Sequence, residues 1–209
     1  MTSWRAARFV AVDVETTGLD RRRDEVLSFA AVPIDGGRVR AGAAVTGLVR
    51  PAQRPSPASV EIHGLRAVDL AAAPAAPEAF VPLVAALEGR IPVAHAAWME
   101  RDFLRPRLRP LGFRMSRRIV DTAVLWRALC IARGDGDPGW SALAAVAMAV
   151  DLPSHRPHVA AGDALTTAQV FLALATHLEA NGSGTVRALA TARWSVRAHR
   201  LWHPSIRSG

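Results

Sequence analysis

Residues Arg8 to Val14, Arg-Phe-Val-Ala-Val-Asp-Val, are rich in β-branched side chains and predict a strand. A second run, Glu25 to Ile34, turns at Asp35-Gly36-Gly37 into a third predicted strand, Arg38 to Val49, so the chain opens as a meander. The proline-rich stretch Pro51 to Pro57 reads as a connection, Pro77 to Leu87 has helical spacing, and Ile91 to His95 is short enough for a buried strand. Helical patterns follow at Ala97 to Leu111, Ala123 to Ala132, Trp140 to Ala149 and Gly162 to Leu178, with a loop at 135–139. Strands first, helices later and alternation between them predict an α/β fold, a mixed sheet flanked by helices. Residues 180–209 open with Asn-Gly-Ser-Gly and carry several arginines with Trp194 and Trp202. They read as a basic C-terminal helix or tail appended to one domain over 1–179.

Composition narrows the class of partner. With 209 residues, half of them hydrophobic, the chain can bury a single sizeable core. Its 26 basic residues against 18 acidic give a formal charge of +8, and all 26 are arginine. That balance favours a polyanion, with nucleic acid ahead of an anionic membrane surface, and arginine forks suit phosphate. A single cysteine, Cys130, excludes an internal disulfide and a multi-cysteine zinc site. The N-terminus lacks a signal-peptide pattern, and no apolar run approaches the ~20 residues needed to span a bilayer. A reduced cytoplasm is the expected location, with no membrane partner.

Candidate chemistry begins at Asp13-Val14-Glu15. On a strand the two carboxylates face the same way and repel each other, which suits a hard divalent cation such as Mg²⁺ or Mn²⁺; alone, the pair also fits a solvated strand end. The longer run Val12-Asp13-Val14-Glu15-Thr16-Thr17-Gly18-Leu19 resembles the first motif of the DnaQ-like, or DEDDh, 3′-to-5′ exonuclease family. That family includes the proofreading epsilon subunit of bacterial DNA polymerase III. Val93-Ala94-His95-Ala96-Ala97-Trp98-Met99-Glu100, followed by Phe103-Leu104, resembles its second motif, with departures. Glu100 stands at the position of the metal-binding aspartate, Ala96 at that of an asparagine and Met99 at that of a phenylalanine. His158-Val159-Ala160-Ala161-Gly162-Asp163 resembles the third motif, histidine and aspartate five positions apart. Lesser matches are Glu61-Ile62-His63-Gly64-Leu65, resembling a segment that lines the terminal-nucleotide pocket, and Ile119-Val120-Asp121-Thr122, where Asp121 reads as a helix cap.

The resemblance covers residues 8 to about 178 and implies a ribonuclease H-like fold. It also implies two divalent metal ions, Mg²⁺ or Mn²⁺, held by Asp13, Glu15, Glu100 and Asp163, with His158 as general base. Thr16, Thr17, Leu19 and His63 are the implied substrate contacts. Asp102 is the rival to Glu100, but the two lie about 200° apart around a helix, so only one can face the metal. Register with Phe103 and Leu104 favours Glu100. His95 ends a buried strand and is assigned structural hydrogen bonds, while His155, three residues before His158, is set aside as the base because its spacing to Asp163 does not fit. Arg21, Arg22 and Arg23 follow the first motif; three consecutive charges read first as a solvated turn, and second as candidates for backbone phosphate contact.

The function implied is removal of nucleoside 5′-monophosphates from a DNA 3′ end, single-stranded by preference, with a polymerase or another protein as possible partner. An exoribonuclease resembling RNase T or oligoribonuclease is the alternative. A nucleic-acid-binding module that has lost catalysis is the reading from another class.

Overall fold

The computed structural model describes residues 2–116 and 118–191. Its sheet contains β1 (Arg8–Thr16), β2 (Val26–Asp35), β3 (Arg38–Val39), β4 (Val45–Leu48), β5 (Ile91–Ala94) and β6 (Val120–Asp121). The strand order is β3-β2-β1-β5-β6, with β4 also paired to β2. β1 and β2 are antiparallel, whereas β5 runs parallel to β1 and β6 parallel to β5. This mixed sheet flanked by helices is the α/β, ribonuclease H-like architecture expected.

The helices are α1 (Pro57–His63), α2 (Ala67–Leu70), α3 (Ala76–Ala79), α4 (Val81–Leu87), α5 (Trp98–Leu108), α6 (Thr122–Arg133), α7 (Leu143–Ala149), α8 (Ala160–Ala180) and α9 (Val186–Thr191). They cover both faces of the sheet, which is why β1 is apolar at successive positions instead of alternating. Phe9 and Ala11 join the core under α6, α7 and α8. Val10, Val12 and Val14 point the other way, into the core that holds Phe80 and Leu83 beside Phe103 and Leu104 of α5. No helix among the described residues is long and apolar enough to cross a membrane.

Three local expectations are corrected. The strand expected over Arg38 to Val49 is two strands, β3 and β4, separated by a 3-10 turn at Ala41–Ala43. Both pair with β2, at Ile34 to Asp35 and at Ser28 to Ala31, so the turn takes up the intervening residues. Pro57 does not prolong the connection but starts α1, where a proline's missing N–H costs nothing and Ser56 caps Ser59 N. The helix expected over Pro77 to Leu87 divides at Phe80 into α3 and α4, because Pro82 lacks the N–H needed to continue the ladder.

After α8 the chain returns to the N-terminus. Trp4 N donates to Gly184 O (3.2 Å), Ser3 bridges to Thr185, and Leu189 of α9 is buried in the same core as Trp4. Trp194 and Trp202 lie outside the described residues.

Phe171 of α8 fastens this core, meeting Phe9 at 4.7 Å and Trp4 edge-on at 5.9 Å between ring centroids. Phe171→Ala is expected to cost about 3–5 kcal/mol, a loss of roughly 6–20 °C in thermal midpoint for a chain of this size. Thermal unfolding followed by circular dichroism checks it.

Candidate metal centre and active site

Asp13 and Glu15 continue the odd-numbered parity of Phe9 and Ala11, so their carboxylates face α8 at the carboxyl end of β1. Asp163 lies in the first turn of α8. One carboxylate oxygen from each of Asp13, Glu15 and Asp163 lies within 4.8 Å of the others. Glu100 enters from the neighbouring parallel strand, in the first turn of α5 just beyond β5. It is only 2% exposed. The four groups therefore meet where parallel strands end, the usual place for a site in an open α/β sheet.

These carboxylates act on one another. Burial, then repulsion from Glu100, Glu15 and Asp163, pushes Asp13 well above the ordinary carboxylate range. Burial and then Asp163 push Glu15 up to about 7. Glu100 is raised by burial first, with Asp121 and Glu15 adding repulsion. Burial raises Asp163 as well, offset in part by the His158 N–H that donates to its Oδ2 at 2.9 Å. Glu100 Oε2 is buried without a hydrogen-bond partner among the described residues. An orphaned acceptor inside a cluster of mutually repelling hard oxygens fits divalent cations of the Mg²⁺ or Mn²⁺ kind.

Asp102 is engaged elsewhere: Arg101 Nε binds its Oδ1 at 2.9 Å and Arg21 lies 3.4 Å from its Oδ2. Asp121 does cap α6 by accepting from Ala123 N, as expected of it. Its carboxylate also accepts from Ala96 N and Ala97 N, at 3.2 and 3.0 Å. That second duty is not legible in the sequence, since it joins residues 24 and 25 positions apart. It holds the turn that launches α5 and Glu100. Ala96 there has φ 60°, a left-handed conformation that alanine adopts at a cost and asparagine tolerates.

His158 lies in the loop before α8, exposed and with φ 60°. Below it, Gly162 lets the loop sit directly on the helix: a Cβ there would fall 1.9 Å from His155 O and 2.7 Å from Arg156 O. His155 is spent on fastening, with its N–H on Thr166 Oγ1 and its Nε2 2.9 Å from Gln169 Oε1. His95 is likewise structural. Its ring nitrogens meet Thr122 Oγ1 and Ser141 O, both at 2.9 Å, and burial lowers it to about 4.

The turn after β1 is held by its own threonines. Thr16 Oγ1 donates to Gly18 O at 2.6 Å, while Thr17 Oγ1 donates to Asp24 Oδ1 at 2.8 Å and accepts from Glu25 N. Leu19 at its tip is 45% exposed. His63, at the end of α1, keeps a buried Nε2 without a hydrogen-bond partner among the described residues. Burial first lowers its pKa, against an interaction with the Thr16 backbone that raises it, and the nearby His158 charge adds to the lowering. The structure thus gathers Asp13, Glu15, Glu100 and Asp163, and sets His63 beside His158.

A fold and site of this kind define a nuclease-like α/β domain with a carboxylate centre. The chain belongs to the RNase T exonuclease family, whose model matches residues 10–171. It is 34% identical over 194 residues to a DNA polymerase III subunit epsilon-like protein of Rhodobacter capsulatus. That match covers 91% of this chain and 26% of the relative, so the chain spans about a quarter of that protein's length. Its fold is similar to E. coli exonuclease I in complex with a dT13 oligonucleotide, with a TM-score of 0.71 at 18% identity over 84% of this chain and 42% of that one. Exonuclease X in complex with 5′-overhanging duplex DNA is similar with a TM-score of 0.66 at 22% identity, over 87% and 97% of the two chains.

Two outcomes follow from the site's construction. Because Glu15 is raised from 4.5 to about 7 in the fold, its stabilising contribution is complete below about pH 4.5 and lost as pH rises through about 7. In chelator, Glu15→Gln is therefore expected to melt above the wild type at pH 8 and level with it near pH 4.5; Mn²⁺ should raise the wild-type midpoint more at pH 8 than at pH 5.5. Gly162→Ala must push the His155–Arg156 backbone off α8. It is expected to lose at least ~10-fold in turnover of a nucleotide ester, a loss of about 1.4 kcal/mol in barrier lowering, while calorimetry still finds Mn²⁺ bound.

Proposed function

We propose that this chain is a metal-dependent 3′-to-5′ exonuclease that releases nucleoside 5′-monophosphates from a DNA 3′ end. The observation that carries the reading is the convergence of Asp13, Glu15 and Asp163, with Glu100 buried beside them and one of its oxygens unsatisfied. The names of the relatives, an epsilon-like protein and exonucleases in complex with DNA, support the choice of DNA.

Asp13, Glu15, Glu100 and Asp163 would hold two divalent ions, Mg²⁺ or Mn²⁺. When bound, these supply neutralising charge at the phosphodiester and make the attacking water more acidic. His158 takes that water's proton as general base. Its backbone N–H on Asp163 ties the imidazole's position to the carboxylate centre while the side chain stays exposed. Thr16 and Thr17 fix the turn that receives the terminal nucleotide, and Leu19 offers its exposed side chain to the base. His63 lines the same pocket. Asp102 ligates nothing, because Arg101 and Arg21 already neutralise it. A polymerase is the partner suggested by the epsilon-like relative. The catalytic domain is read as residues 1–179 with a basic C-terminal segment.

The test is digestion of 5′-labelled single-stranded DNA and RNA of matched sequence with Mg²⁺, Mn²⁺ or chelator. DNA should shorten stepwise from its 3′ end only with metal. Glu100→Gln and His158→Ala should each lose at least ~100-fold in kcat, whereas Asp102→Asn should stay within about threefold. Cleavage confined to RNA would replace the substrate assignment. No cleavage of either strand would leave a nucleic-acid-binding module.

A further inference from the structure

The sequence from Arg101 to Arg118 holds seven arginines and a single acid, Asp102. Arg107 is turned inward, donating to Phe103 O and to Asp24 O. Arg101, Arg105 and Arg109 instead recur at every fourth position of the chain as it leaves Glu100. Four residues of helix advance about 6 Å and rotate 40° beyond a full turn, so the three form one slowly winding stripe about 12 Å long. Phe103, Leu104 and Leu108 are buried, so the arginines border the packed side of α5 instead of occupying it. Arg105 and Arg109 have no ion pair among the described residues.

At its active-site end the stripe is joined by the turn after β1. Asp102 lies between Arg101 and Arg21, 2.9 and 3.4 Å away, so one carboxylate orients two guanidinium groups and leaves a net positive charge. The Arg107 contact with Asp24 holds the same turn against α5. One arginine per helical turn, starting beside the buried Glu100 and leading outward, matches a polyanion with regularly spaced phosphates better than it matches a single anion.

We propose that Arg21, Arg101, Arg105 and Arg109 form a track for the backbone of the substrate strand on the 5′ side of the nucleotide being removed. This rests on the exonuclease reading and adds to it the course of the strand away from the metal centre. Binding along the track is independent of base identity and sensitive to salt.

The experiment compares Arg105→Ala/Arg109→Ala with Arg38→Ala/Arg40→Ala. The second pair removes the same charge at the β2–β3 hairpin, level with Arg8 at the opposite end of β1 from the carboxylates. Affinity for a 3′-intact, 5′-fluorescein-labelled dT12 strand is read by anisotropy in Ca²⁺ across a salt series. Cleavage of the nitrophenyl ester of thymidine 5′-monophosphate, which has no strand beyond the scissile phosphate, is read in Mn²⁺. The α5 pair should weaken dT12 binding at least ~10-fold at low salt and reduce the slope of log K against log salt by about 1.4, or 0.7 per lost phosphate contact. It should leave kcat and KM for the ester unchanged, and the hairpin pair should leave both dT12 binding and ester turnover unchanged. Unchanged dT12 affinity in the α5 variant, or an equal loss in the hairpin variant, would overturn the track. If the wild type cleaves no ester, the exonuclease reading fails, while the anisotropy comparison still decides whether α5 carries the strand.

Discussion

Four carboxylates brought together at the end of one sheet are the constraint around which the rest of this molecule is arranged. Asp13, Glu15, Glu100 and Asp163 come from β1, α5 and α8, and each is raised from its ordinary pKa by burial and, for Asp13, Glu15 and Glu100, by a carboxylate neighbour. Such a cluster does not assemble for its own sake, because every member costs desolvation and adds repulsion. It is held by the apolar packing on both faces of the sheet, with Phe9 and Ala11 under α8 and Val10, Val12 and Val14 against the opposite helices.

Around that centre, polar contacts serve placement. Asp121 grips the backbone of Ala96 and Ala97 and so fixes the start of α5. Thr16 and Thr17 close the turn beside Asp13 and Glu15, and Thr166 with Gln169 staples the loop that carries His158. That loop contains Asp151, Arg156 and His158 at positive φ, a concentration of local strain next to the site. The excess of arginine outside the carboxylate centre gives the protein its second electrostatic feature: an acidic point within a basic body.

Much of this was legible in the chain. The run from Val12 to Leu19 carried the strand, the paired carboxylates and the turn, because a period of two fixes which side chains share a face. His158 and Asp163 were separable into loop and helix from Pro157 and the helical run that follows. The less legible parts were those where a local signal has two outcomes. Pro57 reads equally as a breaker or as the first residue of a helix, and the neighbouring Ser56 cap decides for the helix. The stretch from Arg38 to Val49 has strand composition throughout, yet the two-part pairing to β2 leaves a turn in its middle.

The sequence by itself determined the progression from strands to helices, the carboxylate on β1 that must face its neighbour two residues on, and the basic surplus, since these depend on spacing and composition alone. Only the tertiary structure showed which of Glu100 and Asp102 is buried and which is paired with arginine. On an isolated helix either can turn inward; the packing of Phe103, Leu104 and Leu108 rotates Glu100 into the interior and leaves Asp102 to Arg21 and Arg101. It also decided that Gly162 must be bare and that Asp121 has two employments. The first follows from the preceding loop folding back onto α8, and the second from segments 24 and 25 positions apart coming within hydrogen-bonding range, relations that no periodicity along one chain encodes.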